Sequence, residues 1–336
     1  MHRKILWTSI AVFFILILIV IYFFPIKKKI KKNTAIAFTA DSLWTPPDTN
    51  LLPHDSIGNL IRYGRELIVH TAKYLGPKGS VAQITNGMNC DNCHINGGTT
   101  LFANNFSITA VSYPKFRKRR NRIENLVMRI NGCFKRSLNG EVPGDSSREM
   151  KALVTYINWV SNKANKGRKN IFGTATEKLP FLSRAADTLK GKDIFMAQCQ
   201  VCHGQNGEGK FLEGGREYLY PPLWGKQSYT NGAGIYQLSN FAGFVKNNMP
   251  FGTSYKKPFL SNEQAWDVAA YINSKPRPVF KELLKDWPDI SGKPVDYPFG
   301  PYIDNFPESQ HKYGPYNPIL LADKKNPKAT EVLSKK

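Results

Sequence analysis

Acidic residues are scarce in this chain: 25 Asp and Glu stand against 47 Lys and Arg in 336 residues, a formal charge of +22. No cluster of carboxylates is dense enough to suggest a calcium site. The basic surplus says little about fold, but it draws anions and acidic partners. Cysteine is also scarce. Four of the five cysteines sit in two close pairs, which leaves no disulfide framework and one odd thiol, Cys133. A small-residue cleavage site directly after the N-terminal apolar run is missing too, and the nearest such stretch, Ala35-Ile36-Ala37, lies well downstream.

The two pairs carry the strongest signal. Cys90-Asp91-Asn92-Cys93-His94 and Cys199-Gln200-Val201-Cys202-His203 are both Cys-X-X-Cys-His, the attachment signature of a c-type haem. Two intervening residues let both thiols reach the two vinyl groups of one porphyrin, and the adjacent histidine lands on the iron. Zinc sites built from two such pairs space them ~15–20 residues apart, far less than here. A redox dithiol gives no reason for a histidine behind each pair. The sequence therefore predicts two covalently bound haem c groups, held by Cys90, Cys93, Cys199 and Cys202 with His94 and His203 as iron ligands. An exported haem protein does not normally meet nucleic acid, so the charge is not read as a nucleic-acid surface.

The uncharged run Ile5–Phe24 is long enough to cross a bilayer as one helix. Its missing cleavage site favours a retained anchor over a removed signal peptide. Lysines after the run outnumber the basic residues before it, which by itself would keep the bulk of the chain inside. Haem attachment on the outer face of the bacterial inner membrane outweighs that count. The expected location is the periplasmic side of that membrane, tethered by the helix, with a soluble periplasmic protein as the alternative.

The predicted fold is mainly α: two class I cytochrome c-like domains in tandem, an N-terminal transmembrane helix and an extended C-terminal tail. Each unit runs leading helix, haem motif, irregular middle, closing helix. The first leads through Leu67, Ile68, Ala72 and Leu75 and closes through Met150, Leu153, Ile157 and Val160, all at helical spacing. The second leads from Gly191 and closes through Ala265, Val268, Ala269 and Ile272. Gly64 and Gly191 would let the paired helices approach closely. The expected organisation is an anchor over 1–32, a tether over 33–58, domain 1 over 59–165, a linker over 166–186, domain 2 over 187–282 and a tail over 283–336.

The second axial ligand of each haem sets its potential and decides whether substrate can enter. In domain 2 the loop Asn248-Met249-Pro250 offers the Met249 thioether, with Lys246 as a nearby competitor. Domain 1 has no such Met-Pro. It has Cys133, with Arg119, Arg120, Arg122, Arg129, Lys135 and Arg136 around it in sequence. A lone cysteine is ordinarily a small buried hydrophobe or a stray thiol. Positive surroundings favour a thiolate, which is both a metal ligand and a nucleophile.

The string Cys133-Phe134-Lys135-Arg136-Ser137-Leu138-Asn139-Gly140, both haem motifs, the Met249-Pro250 loop and the tail around Pro294–Tyr302 and Gln310–Pro315 resemble the thiosulfate dehydrogenase family of dihaem cytochromes c. The resemblance implies oxidation of two thiosulfate to tetrathionate, or the reverse, at a His/Cys-ligated first haem. Electrons would leave through a His/Met second haem to a cytochrome c-type or membrane quinone-linked acceptor. It further implies Cys133 as active-site ligand, with Ser137, Arg129 and Arg119 lining the substrate pocket. The alternatives are a plain electron-transfer cytochrome and a SoxA-like sulfur-oxidation haem protein. A dihaem peroxidase fits poorly without a calcium site.

Overall fold

The computed structural model describes residues 44–161 and 171–325. Eight principal helices form the frame: α1 (Ser56–Val69), α2 (Leu126–Arg136), α3 (Arg148–Ser161), α4 (Thr188–Gln198), α5 (Leu238–Asn248), α6 (Asn262–Asn273), α7 (Glu308–Tyr313) and α8 (Asn317–Lys325). Two small antiparallel hairpins interrupt them, β1 (Lys115–Arg117) with β2 (Arg122–Glu124) and β3 (Lys210–Phe211) with β4 (Tyr218–Tyr220).

Short side chains start the helices by binding the free N–H groups of the first turn. Asp55 accepts from Gly58 N at 2.7 Å ahead of α1, and Asn125 accepts from Met128 N at 2.9 Å ahead of α2. Ser261 and Gln264 form a reciprocal capping box on α6.

The same packing occurs twice. Helix α1 lies against α3, and α4 lies against α6. At each crossing a glycine faces the partner backbone. A Cβ on Gly64 would come within 2.2 Å of the Ala152 carbonyl oxygen, and one on Gly191 within 2.0 Å of that of Asp267. Only glycine permits this approach. Leu67, Leu75, Met150, Leu153, Phe195 and Val268 are fully buried in the core these crossings organise.

The transmembrane helix of the expected fold has no counterpart among the described residues. The longest described helices, α1 and α3, have 14 residues each, against the ~20 apolar residues a span needs. No helix among the described residues is long and apolar enough to cross a membrane. The run Ile5–Phe24 lies outside the described residues. Within the tail, α7 and α8 are helical, and Tyr316 and Ile319 are buried in the common core.

The tail is fastened by buried acids. Asp296 accepts from Gln237 Nε2 at 2.6 Å and from Ser239 N at 3.1 Å. His311 is buried, with Nδ1 donating to the Val295 carbonyl at 2.8 Å and Nε2 lying 3.0 Å from Asp304 Oδ1. Residues of the two haem units also bond to each other directly. Asn86 Nδ2 donates to the Ser228 carbonyl at 3.1 Å, and Asn248 Nδ2 donates to that of Phe102 at 3.2 Å.

Candidate active site at the first haem motif

A cavity of about 320 Å³ opens beside the first motif, lined by Cys90, Cys93 and His94. Its walls are apolar where Met88, Phe106, Ile130 and Leu153 face it. Burial pushes the thiols of Cys90 and Cys93 up to about 12. Such thiols stay protonated, in keeping with a hydrophobic slot. Burial likewise lowers His94 to about 4, so its imidazole is neutral, the form a metal needs.

His94 Nδ1 lies 2.6 Å from the Asn104 carbonyl oxygen. A carbonyl only accepts, so Nδ1 carries the proton and Nε2 is left with a free lone pair. The second motif repeats the device: His203 Nδ1 donates to the Pro221 carbonyl at 2.8 Å. In both places the outer hydrogen bond fixes tautomer and ring orientation. With paired cysteines and an apolar slot beside the first motif, these residues fit a haem.

Helix α2 brings Cys133 to the same cavity, and Arg129, one turn earlier, comes with it. Arg129 Nη1 donates to Cys133 Sγ at 3.1 Å. The sulfur beside it, more than any other group, raises the Arg129 guanidinium above its ordinary value. Ser137, just past the end of α2, also lines the cavity.

Arg119 does not. Its guanidinium is turned to the tail, with Nε 3.6 Å from Asp286 Oδ2 and Nη1 donating to the Gly232 carbonyl at 3.3 Å. Arg136 meets the same carboxylate through two bonds, at 2.7 and 2.5 Å. The Arg119 guanidinium is engaged by a buried carboxylate from the tail and is not among the residues that line this cavity.

The cavity instead receives Lys115 and Arg117 from the first hairpin, with Tyr113 just before them. Burial, followed by repulsion from Arg117 and Arg129, lowers Lys115 below an ordinary lysine. Buried Glu124 pairs with Arg117 at 4.0 Å and Arg122 at 3.5 Å, restraining the hairpin's charge. Sequence reasoning missed Lys115 and Tyr113. The only available signal was the basic run at 115–120, which does not say which members point inward.

At the second motif, Met249 follows α5 directly and packs against the core. Lys246 Nζ is engaged by the Leu260 carbonyl. Phe195 and Trp224 pack 5.0 Å apart between the leading helix and the loop after Pro221-Pro222.

Two haem-binding motifs, each with its histidine oriented by a backbone carbonyl, define a dihaem cytochrome c. Residues 188–275 match the cytochrome c family model, and residues 80–165 match the SoxA/TsdA cytochrome c domain. The chain is 38% identical over 245 residues to the thiosulfate dehydrogenase of Stutzerimonas stutzeri (strain A1501), covering 73% of this chain and 76% of that one. It is 34% identical over 248 residues to the thiosulfate dehydrogenase of Thiomonas intermedia (strain K12), covering 74% and 76%. The solved thiosulfate dehydrogenase TsdBA of Marichromatium purpuratum, in its as-isolated form, superposes with a TM-score of 0.65 at 33% identity. That match covers 71% of this chain and 50% of the solved chain, so this chain spans about half its length.

The chain belongs to the thiosulfate dehydrogenase family. It is a haem-dependent oxidoreductase carrying two covalently bound haem c groups.

Proposed function

We propose that this chain oxidises two thiosulfate anions to tetrathionate in the cavity beside the first haem motif, and passes the two electrons out through the second. The observation that carries this reading is the Cys133 sulfur, in the same cavity as His94 and hydrogen-bonded to Arg129. The names of the relatives and the chain's high positive charge support it.

In this reading residues 59–165 form the catalytic unit and residues 187–282 the electron exit. His94 with Cys133, and His203 with Met249, would hold the two haem irons. Lys246 is already held by the Leu260 carbonyl, which favours the thioether at the second iron. A thioether ligand raises a haem potential and a thiolate lowers it, so this ligand set would favour electron flow from the first haem to the second. Bound haem supplies one-electron acceptors; the polypeptide supplies the rest.

Arg129, Lys115 and Arg117 offset the repulsion between two dianions and guide them inward. The Cys133 thiolate forms a bond to the outer sulfur of one thiosulfate as two electrons leave, giving a cysteine S-thiosulfonate. A second thiosulfate attacks that outer sulfur, forming tetrathionate and returning the thiolate. Ser137, on the cavity wall, donates a hydrogen bond to a sulfonate oxygen in this reading. The fitting compartment is the periplasm, and the fitting acceptor a c-type cytochrome or quinone-linked carrier.

The test is ferricyanide reduction by purified holoprotein with thiosulfate, beside Cys133→Ala. Loss of turnover with both haems retained supports the reading. Unchanged turnover in the variant removes it.

A further inference from the structure

Guanidinium groups that are buried or half-buried in this protein are generally matched to an anion of the chain itself. Arg119 and Arg136 share Asp286, Arg184 binds Asp267, Arg120 reaches Glu282, and Arg129 donates to Cys133 Sγ. Arg277 is different. It stands just beyond α6, and only its Nη2 is spoken for, donating to the Ile272 carbonyl at 2.9 Å. Nε and Nη1 are closed off from solvent and have no hydrogen-bond partner, and no other arginine among the described residues has side-chain nitrogens in that state.

The surroundings hold this group in place. Its carbon lies 4.3 Å from the ring centre of Tyr229 and 4.9 Å from that of Tyr236. Asn273 braces both tyrosines, taking the Tyr229 hydroxyl at 3.3 Å and donating to the Tyr236 carbonyl at 2.9 Å. Two aromatic faces offset part of the cost of burying the charge, and the Tyr229 hydroxyl offers it a neutral hydrogen-bond partner, but neither supplies an anion. Unmet donors on a buried cation are expensive, so the arrangement calls for an acidic acceptor that the polypeptide does not supply. Tyr229, under the guanidinium, also lines the cavity of the first motif. Arg277 thus lies one ring away from a haem site, while α6, just before it in the chain, closes the unit that holds the second motif. Each haem brings two propionate carboxylates.

We propose that Arg277 binds a propionate of one of the two haems and raises the reduction potential of that haem. The chemistry is a charge-assisted N–H to carboxylate contact. Reduction adds an electron to the haem, so a fixed cation at its edge favours the reduced form. The proposal rests on haem occupancy of both motifs and needs no substrate.

The experiment is a potentiometric titration, without thiosulfate, of wild type, Arg277→Gln and Arg277→Lys holoproteins with equal haem content. Paramagnetic resonance separates the two haems by their axial ligands. Arg277→Gln is expected to lower the reduction equilibrium constant of one haem about tenfold, or 59 mV for one electron, and to leave the other within about twofold. Arg277→Lys is expected to retain most of the lost potential. A shift in the first haem identifies its propionate as the partner, and a shift in the second identifies the other. Equal potentials in wild type and Arg277→Gln overturn the proposal, as does an equal shift of both haems. Should Arg277→Gln not accumulate, the propionate-bending Raman band of Arg277→Lys is compared with wild type. A moved band supports the contact, and an unmoved band overturns it. Because no turnover enters, this outcome is separate from that of the thiosulfate assay.

Discussion

Arg129 donates from Nη1 to Cys133 Sγ across 3.1 Å, one helical turn apart on α2. The contact ties the Cys133 sulfur to a cation on the same helix. Replacing Arg129 by Gln removes a charged hydrogen bond worth about 1.5–3 kcal/mol. We expect turnover with thiosulfate to fall roughly ten- to a hundredfold, with haem content unchanged. Arg129→Lys, which keeps charge but loses the planar fork, is expected to recover only part of it. Steady-state ferricyanide kinetics decide.

Lys115 and Arg117 carry charge on an exposed hairpin, so their pull on a dianion is screened by salt. KM for thiosulfate is expected to rise with ionic strength, and more weakly so in Arg117→Gln. The lowered pKa of Lys115 gives the pH dependence its sign. A lysine held below its ordinary value loses its proton earlier as pH rises, so KM climbs on the alkaline side while kcat is less affected. Lys115→Arg should shift that climb to higher pH. A KM profile identical to wild type would remove Lys115 from the cavity's charge.

The two glycine crossings invite a direct test of packing. Gly64→Ala pushes a methyl into the Ala152 carbonyl, and Gly191→Ala does the same at Asp267. Overpacking of this kind costs about 1–3 kcal/mol. Each variant should show a lower thermal midpoint in the holoprotein, whereas an alanine at exposed Gly144, which meets nothing within 4 Å, should not.

Asp286 neutralises two buried arginines at once. Asp286→Asn leaves both without a counter-charge, and breaking a buried pair in this way costs about 3–5 kcal/mol. Denaturant unfolding should report that loss. The double variant Asp286→Asn with Arg136→Met should recover part of it, because one stranded charge is removed.

Haem serves as core material in small cytochrome units. Replacing Cys90, Cys93, Cys199 and Cys202 together by Ala should abolish the cooperative thermal transition measured by circular dichroism. A retained sharp transition would show that the side chains alone suffice.

Much of this was legible because covalent chemistry and close packing impose short-range spacing. Two cysteines and a histidine must sit where they do to hold one porphyrin, and Gly64 and Gly191 stand where two helices touch. The reach of Arg119 was not legible. Its partner Asp286 is a tail residue more than a hundred positions away, and no local pattern announces that pairing. Nor did the sequence distinguish Lys115 from its basic neighbours, since strands of three residues are too short for an alternating pattern to emerge. The carbonyls of Asn104 and Pro221 were equally silent, because a backbone oxygen has no residue signature. The helices of the tail were missed because α7 and α8 are short and lie among prolines that break the period.

The position of Asp286 also bears on the order of assembly. Arg136 ends the helix that carries Cys133, yet its carboxylate partner is 150 residues further along the chain. A nascent polypeptide halted before that aspartate would already own both porphyrin attachment sequences and Cys133. It would still hold two stranded cations, so the helix that carries Cys133 acquires its electrostatic balance only once Asp286 has been made.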